Sequence, residues 1–196
     1  MHYRDQSLDG FLSGVASNRV APAGGTATAV VGALGAALCE MVCIHTVDGG
    51  ASGGAATGLA DVRDDLHRQR GHLLELADTD GRVVDELFGA DSGVVDQSDV
   101  KRSIGVPLTI ADACLNVLEL ATDVTETGNR NAVADAATGV ILARSALRAA
   151  VFTVRHNVDQ VSDSAFVEDV ERDVAELEKR ADEASERAIR NVEERA

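Results

Sequence analysis

At 196 residues the chain has room for one domain with a real core, yet only 3% of it is aromatic, it has no Trp, and its formal charge is -15. With 45% of the chain hydrophobic and so few rings, the core has to be built from Ala, Val, Leu and Gly, which favours close contact between helices. The acidic field repels phosphate and no basic stripe relieves it, so nucleic acid is not expected as a partner.

The basic residues are nearly all Arg, with Lys101 and Lys179 the only lysines. Acid excess with so little Lys fits a protein of a high-salt cytoplasm, where ionic strength screens self-repulsion; an ordinary acidic bacterial protein is the alternative. No apolar stretch follows the charges of MHYRDQSLDGF, so no signal peptide is expected and the cytoplasm is the expected compartment.

In chain order, Ser7 ahead of Leu8, Phe11, Leu12 and Val15 predicts a capped amphipathic helix ending near Asn18. Pro22, Gly24 and Gly25 break it. Residues 24–47 then form a long small-residue helix, near the length of a membrane span. Glu40 inside the run, His45 and Asp48 after it and the lack of a basic flank argue for a core helix instead. Two rows at i,i+4 spacing, Gly25–Ala29–Ala33–Ala37 and Thr28–Gly32–Ala36–Glu40, suit close approach of a neighbour. Glu40 on such a row requires a partner.

Residues 49–58 read as a flexible loop, residues 59–78 as a helix continued or followed by residues 80–88, and residues 91–105 as polar and irregular. Pro107 is expected at the first position of an amphipathic helix that ends at Gly128-Asn129. Residues 131–161 make another long helix. Residues 162–196 are a charged C-terminal helix whose narrow apolar seam serves either packing on the bundle or a dimeric coiled coil. No segment alternates with period two for long enough to be a strand. The expected fold is all-α: one domain over residues 1–196, an up-and-down bundle of about five to seven helices around a long small-residue central helix, expected to be dimeric.

The common motifs of nucleotide, hydrolase and metalloprotease chemistry are absent from the sequence. Cys39, Cys43 and Cys114 lack metal-ligand spacing and read as small core hydrophobes. Gly24, Gly25 and Thr26 at a helix start offer free backbone N–H groups to an anion or carbonyl, or form a plain cap. Asn129 and Asp135 bracket the start of an apolar helix, where a carboxylate is costly unless used or paired, for instance with Arg144 or Arg148.

The stretch FLSGVASNRVAPAGGTATAVVGALGAALCEMVCIHT resembles the opening of the cyclodeaminase/cyclohydrolase family of folate one-carbon enzymes. Later blocks agree in order: LADTDGRVVDELF around Asp80, VPLTIADACLNVLEL at Pro107, GNRNAVAD ending at Asp135, and ALRAAVFTVRHNV with Asn157. Together they cover residues 8–171. Ala23, Ala134 and Thr153 depart from the family's Gly, Ser and Asn, Asp48 and His45 from its Gly and Leu, and the region between Phe88 and Pro107 is short.

The resemblance implies an all-helical homodimer with a folate cleft between helices, needing neither a metal nor a cofactor beyond tetrahydrofolate itself. It implies Gly24, Gly25 and Thr26 as a ligand turn, Asp80 and Asp135 as acid/base or cation-stabilising groups, and Asn129 and Asn157 as polar positioners. Lys101 and Arg102 are the nearest bases for a glutamate tail. The activity implied is hydrolysis of 5,10-methenyltetrahydrofolate to 10-formyltetrahydrofolate. The alternatives are a formiminotetrahydrofolate cyclodeaminase, less expected without a formiminotransferase domain ahead of the chain, and a non-catalytic folate-binding or structural dimer.

Overall fold

The computed structural model describes residues 2–49, 54–89 and 97–195. All regular elements among them are helical: a 3-10 turn over Tyr3–Asp5, then α1 (Leu8–Val15), α2 (Gly24–Asp48), α3 (Gly54–Phe88), α4 (Gln97–Thr127), α5 (Val133–Val158) and α6 (Ser164–Glu193). The Ser7 hydroxyl caps α1 by accepting from the Gly10 N–H at 3.1 Å, and Asp163 caps α6 by accepting from the Phe166 N–H at 3.2 Å.

Contacts between helices fix their directions. Along α2 and α3, Gly25 meets Asp80 and Gly32 meets Leu73, so the two run antiparallel. Along α2 and α5, Gly35 meets Gly139, and Thr46 accepts from the backbone of Asn129 at 2.7 Å, again antiparallel. Helix α4 runs with α2, since Gly32 lies against Cys114 and Val42 against Gly128. Helix α6 runs with α4: Lys101 pairs with Asp163, and Arg180 with Glu119. The helices α2 to α6 therefore alternate in direction, an up-and-down bundle as the sequence predicts.

Helix α2 packs against α3, α4 and α5. By length and composition α2, α4 and α5 could each cross a membrane; in this fold α2 buries Ala29, Gly32, Ala33, Gly35, Ala36, Cys39, Val42 and Cys43 inside the bundle. Small residues allow this. A Cβ on Gly35 would lie 2.8 Å from the Gly139 carbonyl, and one on Gly139 2.7 Å from the Gly35 carbonyl. There the two helix backbones meet directly, and Gly35 lies on neither small-residue row read from the sequence.

Glu40 has its partner on α3. Arg70 Nε donates to it at 2.7 Å and His67 Nδ1 lies 2.8 Å away. Burial pushes the Glu40 carboxyl up, but those hydrogen bonds outweigh it and hold the group below its ordinary value. The three cysteines are free and buried, and burial pushes each thiol up to about 12. They are core residues, as expected.

Three boundaries differ from the sequence reading. Helix α3 begins at Gly54, inside the expected glycine loop, and continues without a break through Phe88. The irregular segment expected over residues 91–105 is helical from Gln97, and residues 91–96 lie outside the described residues. Pro107 is consequently inside α4 and not at its start. The apolar seam of α6, from Val170 to Ala188, is buried against α4 and α5 of the same chain.

Candidate active site

Where α2 begins, the backbone leaves a run of bends over residues 17–22 that includes a cis Ala21–Pro22 peptide, with Ala23 extended. Ala23 occupies the N-cap position and has no side chain to cap with, so the first N–H groups of α2 need acceptors from elsewhere. Asp80 of α3 supplies one. Its Oδ2 accepts from the Thr26 hydroxyl at 2.7 Å and it also bonds the Thr26 backbone.

The carboxylate is 5% exposed and in no ion pair among the described residues. Burial raises its pKa above the ordinary Asp value, and the two hydrogen bonds from Thr26 offset only part of that. The positive end of α2 is the compensation for a charge at this position. Gly25 makes the approach possible: a Cβ there would stand 2.2 Å from Asp80 Oδ1. Gly24 is different, since a Cβ there would meet nothing within 4 Å; it borders open space.

That space is a cavity of about 390 Å³ among the starts of α2 and α4 and the ends of α3 and α5. Gly24, Gly25, Asp80, Thr153 and Asn157 edge it, and Val83, Val84, Leu87, Val106 and Pro107 give it an apolar wall. A buried carboxyl with a raised pKa on one side of an apolar slot is the arrangement of a small-molecule site.

Four of the nine site residues predicted from sequence, Gly24, Gly25, Asp80 and Asn157, line this cavity, and Thr26 holds Asp80. The other four do not. Asp135 is exposed near the start of α5, about 30 Å of helix from Asn157, so it does not share the cavity with Asp80 within this chain. Asn129 is a turn former: its Oδ1 accepts from the Asn131 N–H at 2.9 Å, and its own N–H bonds Thr46. Lys101 is committed to Asp163 at 2.8 Å and lies over the Phe166 ring, while Arg102 pairs with Glu86 at 2.7 Å. Arg144 pairs with Asp182 and not with Asp135. Antiparallel packing of α2 on α5 separates these groups; linear spacing does not reveal it.

A second cleft of about 690 Å³ adjoins the first at Val20. Arg19 and Arg82 line it, neither in an ion pair among the described residues, along with Asp85 and an Asp78 bonded to His2 and to the Tyr3 backbone. The sequence reading missed these arginines and the α4 wall of the cavity. Among the described residues, no group of three His, Cys, Asp or Glu could hold a metal ion.

A family model described as formiminotransferase-cyclodeaminase matches residues 7–176. A methenyltetrahydrofolate cyclohydrolase of Methylorubrum extorquens is 30% identical over 96% of this chain and 96% of its own length. A formimidoyltransferase-cyclodeaminase of Rattus norvegicus is 24% identical over 88% of this chain, which spans only 34% of the rat protein. Among solved structures, a formiminotetrahydrofolate cyclodeaminase of Thermotoga maritima superposes with a TM-score of 0.89, covering 97% of each chain at 23% identity.

Proposed function

This chain belongs to the formiminotransferase-cyclodeaminase family, and from that premise we propose that it hydrolyses 5,10-methenyltetrahydrofolate to 10-formyltetrahydrofolate. The observation that carries the reading is the buried Asp80 carboxyl, held by Thr26 beside an apolar cavity. Hydrolase is favoured over deaminase because the full-length relative at 30% identity is a cyclohydrolase.

The substrate's bridging carbon is a cation between N5 and N10. Asp80 in its ionised form offsets that charge in a site of low dielectric. It then takes a proton from water as the oxygen adds to the carbon. In the adduct the C–N5 bond breaks, N5 receives the proton held by Asp80, and the hydroxyl loses its proton to solvent as the formyl group forms. One proton is released overall. A carboxyl with a raised pKa suits both transfers.

A folate is larger than the first cavity. The adjoining cleft, with Arg19 and Arg82, suits the remainder and its glutamate carboxylates, in place of Lys101 and Arg102. The chain is further proposed to act as a homodimer in a salt-rich cytoplasm. Supporting this, Leu34 of α2 and Ile141 and Phe152 of α5 are 53%, 58% and 74% exposed, an apolar face on two adjacent helices.

An absorbance assay of methenyltetrahydrofolate at high salt tests the activity. Decay well above the buffer rate is expected. Ammonia release from 5-formiminotetrahydrofolate, without methenyl hydrolysis, would move the assignment to the deaminase.

A further inference from the structure

Pro107 sits inside α4 and lines the cavity. A proline has no N–H, so the carbonyl four residues earlier, that of Ser103, loses its helical donor. In an ordinary helix that carbonyl would be left to water. Here the Asn157 side chain fills the vacancy from α5, with Nδ2 donating to the Ser103 carbonyl at 2.8 Å.

An amide has one donor end and one acceptor end. Committing Nδ2 to Ser103 fixes which end remains: Oδ1 makes no hydrogen bond to the described residues, and Asn157 edges the same cavity as Asp80. From this geometry we infer that Pro107 is a positioning residue, whose missing N–H locks the Asn157 amide so that the cavity is offered an acceptor. The ligand group it fits is an N–H donor of the substrate ring, and a tetrahydropterin carries such donors along one edge. In this respect the inference rests on the folate reading above, whereas the lock itself does not.

The decisive variant is Pro107→Val, which keeps apolar bulk against the cavity and restores the backbone N–H. That N–H competes for the Ser103 carbonyl and releases the Asn157 amide. The KM for methenyltetrahydrofolate is expected to rise roughly five- to tenfold, the size of one neutral hydrogen bond, while kcat falls less. The thermal midpoint should hold or rise, since the helix regains a bond. A purely structural proline would give a change in midpoint and leave KM alone.

The side-chain amide resonance of Asn157, assigned by its loss in Asn157→Asp, reads the lock without any substrate. It should move in Pro107→Val. An unmoved resonance overturns the lock, whatever the kinetics. A moved resonance with an unchanged KM overturns the role in substrate binding. Absence of turnover in the unmodified protein counts against the hydrolase reading and not against the lock, and binding of 5-formyltetrahydrofolate to the two proteins then decides the acceptor role by the same ratio of affinities.

Discussion

Asp80 is stabilised for work and not for the fold. Because burial raises its folded-state pKa above the unfolded value of about 3.9, ionising it costs stability: the contribution is complete below that pH and is lost as pH rises through the folded value. Asp80→Asn keeps the size and an oxygen for the Thr26 hydroxyl while removing the charge. It should therefore raise the thermal midpoint at neutral pH, with the gain shrinking to nothing as pH falls toward about 4. Turnover should drop at least about 100-fold, as for loss of a positioned acid/base group. A drop in activity together with an unchanged midpoint at every pH would mean that the carboxylate is not the buried, costly group described here.

At the scale of helices, two polar contacts hold α2 against α3 at different heights: Asp80 with Thr26 at its start, and Glu40 with Arg70 and His67 further along. The second has the opposite pH sign. Glu40 titrates below its ordinary value in the fold, so its stabilisation is present above the unfolded pKa and is lost as pH falls through the folded one. Glu40→Gln should cost about 1 kcal/mol by urea unfolding at pH 7, from hydrogen bonds to a charged group that is partly screened. The difference should vanish in acid.

How far these elements could be read from the chain depends on what encodes them. Ser7, the small-residue run of α2 and the seam of α6 declare themselves by local chemistry and period, and the structure bears them out. Glu40 could be said to need a partner because burial alone demands one, but α3 had to be docked before Arg70 could be named. Pro107 misled for a physical reason. Its missing N–H reads as a helix start, unless a side chain 50 residues away supplies the lost donor. Of the residues the resemblance implies, Gly24, Gly25, Asp80 and Asn157 line one cavity, whereas Asp135 and Asn129 fall at the far end because α5 runs against α2.

At the scale of the molecule, charge and apolar surface oppose each other. A formal charge of -15 on 196 residues repels a second copy at low salt, while the exposed Leu34, Ile141 and Phe152 favour one. Light scattering should give the mass of a dimer at molar salt, and Ile141→Glu should give that of a monomer. Because Ile141 is 58% exposed in the single chain, the substitution leaves the fold of each copy intact. A monomeric mass for the unmodified protein at high salt would remove the dimer from the proposal.

The near-contact of Gly25 with Asp80 also sets a rule for inheritance. With only 2.2 Å between a would-be Cβ and the carboxylate oxygen, position 25 cannot drift while the acid stays. A side chain at 25 evicts the carboxylate, whereas a lineage that shortens residue 80 first is released to fill the gap. Across descendants of this fold the two positions should therefore behave as one heritable unit: glycine kept wherever the acid is kept, and freed wherever it is gone.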